Sequence, residues 1–374
     1  MKVGLIVNPI AGMGGKVALK GTDGVVEEAI RRGAKPIALD LAKLFLNELS
    51  HYEENDFEFI TGARELGEYA FEGFNFKYEV LRHRDFGYKD VLGFKIPDTS
   101  SDDTKILAKL MVREVDIILF AGGDGTARDV YLSIDNKKPI LGIPTGVKMF
   151  SGVFAASPEN AAKILVAFLN GQAQIVEREI MDLDEDAFRH DELKPKRYGK
   201  ALTPYVELLI QGAKEPSKTD EREDVEAIIE ALYEELEDGV YFLGAGSTIK
   251  RLKDMLGISG TLLGVDIVKV KDGKGKLLVK DAQEKDLLRF IDKNPKIIVT
   301  VIGGLNFLFG RGNQQFSADV LRRIPKENII IVATPSKVQK PIRVYTGDRE
   351  VDEMLRGYMR VRVSPWAEKM VKVI

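Results

Sequence analysis

The chain has 374 residues, 44% hydrophobic and 30% charged, with a formal net charge of −3. That length accommodates two domains with separate cores, and the slightly negative balance offers no electrostatic basis for a nucleic-acid partner. Cysteine is absent, and the three histidines, His51, His83 and His190, have no paired spacing. Disulfide scaffolds, thiolate metal sites and a cysteine nucleophile are thereby excluded, and a histidine metal site has no support.

No apolar run reaches the length of a membrane helix, and residues 1–10 open with a strand rather than a charged and then apolar leader. A cytoplasmic protein with no membrane contact is expected. High charge, no cysteine and few glutamines fit a thermophile, where ion-pair networks are favoured.

In chain order, an apolar strand at 1–7 leads into a glycine loop ending in Lys16. That loop lacks the spacing and the Ser/Thr of a Walker A motif, so phosphate binding and a simple turn both remain open for Gly14 and Gly15. Helical spacing follows at 25–32 and 37–49, with strands at 56–61 and 77–81. A helix at 104–113 takes its cap from 98–102. A strand at 116–121, a helix, a strand at 139–143 and a helix at 158–169 continue the alternation.

A strand is read at 174–182, a charged loop or boundary at 184–200, and a further strand at 205–211. Residues 214–222 are polar, and 224–236 form an acidic amphipathic helix. Strands at 240–243, 262–268, 296–302 and 329–333 then alternate with helices at 249–256, 284–292 and 318–323, before final strands at 343–345 and 358–363. Strand–helix alternation means a parallel sheet with helices on its faces. The expected fold class is α/β, an N-terminal doubly wound, Rossmann-like parallel sheet with a second, mixed α/β domain. The expected division is 1–150 for nucleotide binding, 151–330 for the second domain, and a segment 331–374 that returns to the first.

The most informative stretch is residues 115–126, an apolar β-branched run that breaks into Gly122, Gly123, Asp124, Gly125 and Thr126 before a helix. Open α/β sheets bind ligands at the carboxyl ends of their strands. Glycines let backbone N–H groups approach an anion, and the helix start adds positive potential. Asp124, the lone carboxylate there, suits either Mg²⁺ binding or removal of a proton from an attacking hydroxyl. The plainer alternative is a tight turn with Asp124 as a helix cap.

These residues resemble the Gly-Gly-Asp-Gly-Thr signature shared by ATP-NAD kinases, diacylglycerol and sphingosine kinases, and 6-phosphofructokinases. Residues 2–9, ending in Asn8-Pro9, resemble the first strand of the NAD and lipid kinases. Residues 140–146, ending in Thr145-Gly146, resemble the next strand and its loop. The nearest group is the ATP-NAD kinase-like one that includes the AcoX-type proteins.

The resemblance implies ATP as phosphoryl donor, Mg²⁺ as bridging ion and Asp124 as the catalytic residue and metal anchor. The implied acceptor is a small molecule, a dinucleotide or nucleoside, best the ribose 2′-hydroxyl of NAD. Other small polyol, nucleoside or lipid hydroxyls stand as alternatives, as does a non-catalytic nucleotide-binding regulator. A crevice between the domains is the expected place of the site, and a homo-oligomer is expected.

Residues 238–248 resemble the family's second nucleotide-contacting segment, with Gly244-Ala245 where the family has Thr-Pro. Gly244, Gly246, Ser247 and Thr248 make an anion nest at a helix start. With Asn8, Gly122, Gly123, Gly125, Thr126, Thr145 and Gly146, they form the expected nucleotide-binding set. Residues 303–315 combine glycines, amides, aromatics and one arginine. Asn306 and Asn313 suit hydroxyl or base recognition, and Arg311 suits a phosphate. Asp266, at a strand end, is expected to meet a ribose hydroxyl or a metal. Lys148 is either a phosphate contact or a solvated loop lysine, and 83–85 are read as a local ion pair. Two departures stand out: the family's Asn-Glu pair is absent after Gly146, and 224–333 alternate strand and helix where the family is β-rich.

Overall fold

The computed structural model describes residues 1–17, 19, 25–52, 57–145, 149–183, 195–206, 209, 220–302 and 306–374. They fall into two compact units. One holds residues 1–14 and the described residues between 25 and 209, and the other holds 15–17, 19 and 220–374. The boundary expected at 150 lies inside the first unit.

The first unit runs β1 (Lys2–Val7), α1 (Val26–Arg31), α2 (Ala38–Leu49), β2 (Glu58–Gly62), β3 (Tyr78–Leu81), β4 (Tyr88–Val91), β5 (Phe94–Pro97), α3 (Ser101–Met111), β6 (Ile117–Gly122), α4 (Asp124–Ile134), β7 (Ile140–Pro144), α5 (Pro158–Leu169), β8 (Gln174–Leu183) and β9 (Pro195–Tyr205). Five strands form one sheet in the order β3-β2-β1-β6-β7, every pairing parallel. Strands buried on both faces read as continuous apolar runs, as β6 does. On one face Val3, Leu5 and Leu119 pack with Phe45 and Leu46 of α2 and Leu165 of α5. On the other, Ile6, Ile118 and Phe120 pack with Leu107 of α3 and Val130 of α4. This is the doubly wound arrangement expected, and its strand order reverses between β1 and β6.

The β4–β5 hairpin was not foreseen, and the strand expected at 205–211 is displaced. Tyr205 ends β9, and Val206 and Leu209 lie outside any strand. Residues 195–200 carry a proline and a glycine and read as part of the charged loop at 184–200, but antiparallel pairing with β8 draws them into a ribbon.

The second unit runs α6 (Asp220–Glu234), β10 (Gly239–Leu243), α7 (Ser247–Met255), β11 (Asp266–Lys271), β12 (Lys274–Val279), α8 (Glu284–Arg289), β13 (Lys296–Thr300), β14 (Phe307–Phe309), α9 (Ala318–Leu321), β15 (Ile329–Val332), β16 (Arg343–Val344), α10 (Arg349–Leu355), β17 (Gly357–Arg362) and β18 (Glu368–Val373). Its seven-stranded sheet has the order β12-β11-β10-β13-β15-β17-β18. The β10-β13-β15-β17 core is parallel and both edges are antiparallel.

The mixed α/β character matches expectation, but the segment 331–374 does not return to the first unit. Its β17 and β18 extend this second sheet. The edge strands β12 and β18 were missed because lysines break their apolar pattern, joined by a glycine in β12 and a glutamate in β18, as exposed edges tend to be.

Candidate functional site

The candidate site in the first unit forms where β1, β6 and β7 end side by side. Because these strands are parallel, their last residues face one way, and the strand order reverses there, where open sheets take ligands. Asn8 follows β1. Its side-chain amide donates to the Thr126 hydroxyl at 3.0 Å, and its backbone N–H donates to the Ala121 carbonyl at 2.9 Å. Thr145 follows β7, and its N–H donates to the Gly122 carbonyl at 3.2 Å. Gly12 packs its Cα against the Thr145 carbonyl with φ of +80°, and an added Cβ would lie 2.1 Å from that oxygen. Only glycine fits both the angle and the approach. Asn8, Gly122, Gly123, Asp124, Gly125, Thr126 and Thr145 are thus brought together. Gly146 and Lys148 lie outside the described residues.

Asp124 opens α4 and is buried. One carboxylate oxygen accepts the Phe150 N–H at 2.6 Å and the other the Ser151 N–H at 2.9 Å. Burial pushes the carboxyl up to about 7, against the Ser151 hydroxyl and the two amides, which favour the charged form. The nearby charge of Asp182 adds to the rise. Gly123 precedes it with φ of −111°, and nothing lies within 4 Å of where its Cβ would stand. The Thr145 hydroxyl is buried with no hydrogen-bond partner.

Sequence reasoning missed Phe150, Ser151, Arg128 and Asp182. The signal for the first two was weak, a Gly-Ser-containing loop after β7. Asp182 reads as one more charge on a polar strand, and only folding carries it to Arg128, whose Nη1 donates to its carboxylate at 2.5 Å.

In the second unit, Gly244, Gly246, Ser247 and Thr248 connect β10 to α7. Gly246 has φ of +114°, and its N–H donates to the Leu262 carbonyl at 2.7 Å. The start of α7 carries no side-chain cap, which leaves its first amides open to an anion. Thr300, at the end of β13, has a buried hydroxyl with no partner. Its methyl stands 3.3 Å from where a Gly246 Cβ would be. Thr300 was not foreseen.

The remaining expected contacts change character. Asp266 is fully buried in a pair with Lys253 at 2.7 Å. Its oxygens also accept Thr261 N–H at 2.7 Å, Thr261 hydroxyl at 3.0 Å and Asp281 N–H at 2.9 Å. It has no reach to a ribose hydroxyl or metal, and its role is structural. Arg311 is only 2% exposed, with its guanidinium 5.2 Å from the Phe307 ring centre. Asn306 sits at φ of +59° and spends its amide on the Lys340 and Pro341 carbonyls. Asn313 is buried; its amide donates to the Leu308 carbonyl at 2.8 Å, while its Oδ1 is unpartnered. The loop around 306–315 is packed, where a solvated recognition loop was expected. The ion pair read at 83–85 is made with Asp103 instead, which Arg84 and His83 both contact.

Among the described residues no three acidic or histidine side chains gather to hold a metal ion. With both oxygens held by backbone amides, Asp124 does not fit the metal-anchor role. No helix among the described residues is long and apolar enough to cross a membrane.

A doubly wound sheet with a glycine loop and a buried carboxylate at its switch point defines a nucleotide-binding α/β protein. Residues 3–173 match the ATP-NAD kinase N-terminal domain family and residues 236–373 the ATP-NAD kinase C-terminal domain family. The chain belongs to the ATP-NAD kinase family. No curated protein matches the chain.

Proposed function

We propose that the protein is an ATP-dependent kinase that phosphorylates a hydroxyl group of a small molecule, with the ribose 2′-hydroxyl of NAD as acceptor. The observation that carries this reading is Asp124, a buried carboxyl held up to about 7 at the switch point. A base at that value accepts a hydroxyl proton at neutral pH. The NAD assignment rests on membership in the ATP-NAD kinase family over both domains.

In this reading MgATP is the co-substrate. Magnesium keeps most of its shell from phosphate oxygens and water and needs no all-protein cage. The open space above Gly123, the Thr145 hydroxyl and the Gly122–Thr126 turn would receive one stretch of phosphate, with Asn8 fixing Thr126. Gly246, Ser247, Thr248 and Thr300 would receive another anionic group at the start of α7. Asp124 would orient the acceptor hydroxyl and take its proton as the phosphoryl group moves. Catalysis would be mostly positioning and charge stabilisation.

A nucleotide-binding regulator without turnover is the second reading. It is disfavoured because burying the Asp124 carboxyl, raised to about 7, destabilises the fold as pH rises through that value, and a pure binder has no use for that cost. The test is incubation of the purified chain with MgATP and NAD, reading NADP. Formation of NADP upholds the proposal. Phosphorylation of another hydroxyl compound with no NADP removes the NAD assignment and keeps the kinase. Tight MgATP binding with no product from a panel of nucleosides, sugars and lipids favours the regulator.

A further inference from the structure

The two amides that hold Asp124 come from an irregular loop after β7, and that loop is fastened to β8. The Ser151 hydroxyl donates to the Met181 carbonyl at 2.8 Å and accepts the Met181 N–H at 3.1 Å. The Gly152 N–H donates to the Glu179 carbonyl at 2.9 Å. The β8–β9 pairing breaks register at the same place: Ile180 faces Gly199, and Met181 faces Arg197. Tyr198 is therefore the extra residue of a β-bulge, a device that re-aims side chains and frees backbone groups.

Met181, at this break in register, gives both its backbone N–H and its carbonyl to Ser151. The Tyr198 ring lies 5.7 Å from the Arg128 guanidinium, and Arg128 is bound to Asp182 at 2.5 Å. Arg128 stands one turn along α4 from Asp124. The contacts close a ring from Asp124 through Phe150 and Ser151 to Met181 and Asp182, then through Arg128 back to α4.

We propose that the bulged β8–β9 hairpin is the positioning element for Asp124, with Ser151 and Asp182 as its positioning residues. This rests on Asp124 acting as the base of the kinase reading above. Neither residue meets the reacting atoms; each acts through the geometry of the carboxylate. Without the Ser151 hydroxyl, Met181 loses both of these hydrogen bonds and the loop keeps only its Gly152–Glu179 fastening, so the amides at 150 and 151 drift from the carboxylate. Displacements of about 1 Å at a reacting group cost on the order of a hundredfold in rate.

The test compares Ser151→Ala, Ser151→Thr and Asp182→Asn with the unaltered protein. Ser151→Ala should lower kcat by roughly tenfold to a hundredfold while the KM for MgATP stays nearly unchanged. Ser151→Thr, which keeps the hydroxyl, should recover most of the loss. Asp182→Asn, at a less buried joint, should show the same split more weakly and serves if Ser151→Ala fails to fold. A second readout needs no turnover. In the free protein, the amide resonances of Phe150 and Ser151, identified by their response to Asp124→Asn, should move in Asp182→Asn while that of Gly246 stays put. Unmoved amide resonances overturn the proposal, as does a loss confined to melting temperature with kcat intact. If the unaltered protein transfers phosphate to no acceptor, the kinase reading fails while the amide resonances still decide the positioning role.

Discussion

Two aspartates open neighbouring helices of the first unit, and their environments drive them apart. Asp103 lies in the first turn of α3, closing a capping box with Ser100. Arg84 contacts both of its oxygens, at 2.6 and 2.7 Å, and His83 adds a contact at 2.7 Å. Against the burial that raises it, these partners pull the carboxyl down to about 2. Asp124 begins α4, more deeply enclosed, with the Ser151 hydroxyl and two backbone amides as its neutral partners, and burial pushes it up to about 7. A helix start favours a carboxylate in both places. Two things differ: Asp103 has Arg84 against it, whereas among the described residues no cation touches Asp124, and Asp124 is the more deeply enclosed of the two. The first is a staple, and the second is a strained group of the kind that clusters at functional sites.

The sharpest way to break this comparison is to neutralise each carboxylate in turn. Asp124→Asn should lower kcat for phosphoryl transfer by about two to four orders of magnitude, with MgATP affinity changed far less. Asp103→Asn should leave kcat within roughly twofold and lower stability by on the order of 1–2 kcal/mol at neutral pH, discounted because Arg84 is partly exposed. Equal losses of turnover in the two variants would erase the distinction.

The pH dependence of stability should run in opposite directions. Asp103 has a depressed value, so its contribution is present above 3.8, its ordinary value, and is lost as pH falls toward about 2. Asp124 has a raised value, so its contribution is present below 3.8 and is lost as pH rises through about 7. Relative to Asp124→Asn, the unaltered protein should lose about 3 kcal/mol between pH 5 and pH 8. Relative to Asp103→Asn, its advantage should shrink only between pH 4 and pH 2. Denaturant titrations at these pH values measure both. A flat Asp124 difference across pH 5–8 would mean that its carboxyl is not raised.

How far the sequence carries this contrast depends on range. The buried parallel strands and the Gly122–Thr126 turn were legible because their signals are local: an apolar run, then glycines. The capping of α3 was legible too, since its cap and acids lie within a few residues. The partners that set the two carboxylates apart were not. Asp103 meets His83 and Arg84 about twenty residues away, and Asp124 is governed by Phe150 and Ser151 across a different strand. Asp266 looked like Asp124, an acid at a strand end, but Lys253 one helix earlier turns it into a buried pair. Edge strands β12 and β18 were hidden by their charge.

Arg311 extends the comparison to the second unit. An arginine in a glycine-rich loop suggests a solvated phosphate contact whose removal leaves the fold intact. The packed guanidinium over Phe307 implies instead that Arg311→Ala costs on the order of 2–4 kcal/mol, through lost packing and unpaired neighbours. The cost should appear in melting temperature before any change in acceptor KM. A variant with unaltered melting and a raised KM would restore the recognition role.

The smallest expected effect on stability separates two adjacent glycines. A Cβ on Gly122 would stand 2.4 Å from the Thr126 side chain, whereas one on Gly123 meets nothing within 4 Å. Gly123 also has an ordinary extended angle, φ of −111°, so alanine there introduces no backbone strain. Gly122→Ala should therefore destabilise by about 1–3 kcal/mol, the usual range for overpacking, and disturb the Asn8–Thr126 bond with it. Gly123→Ala should melt within about a degree of the unaltered protein. If the space above Gly123 is kept for a phosphate, its methyl should nonetheless weaken MgATP binding severalfold, because the backbone no longer allows close approach. Calorimetric titration with MgATP decides this point. A Gly123→Ala protein that is both stable and unimpaired in MgATP binding would make the glycine pair a turn, and would move the phosphate site away from the start of α4.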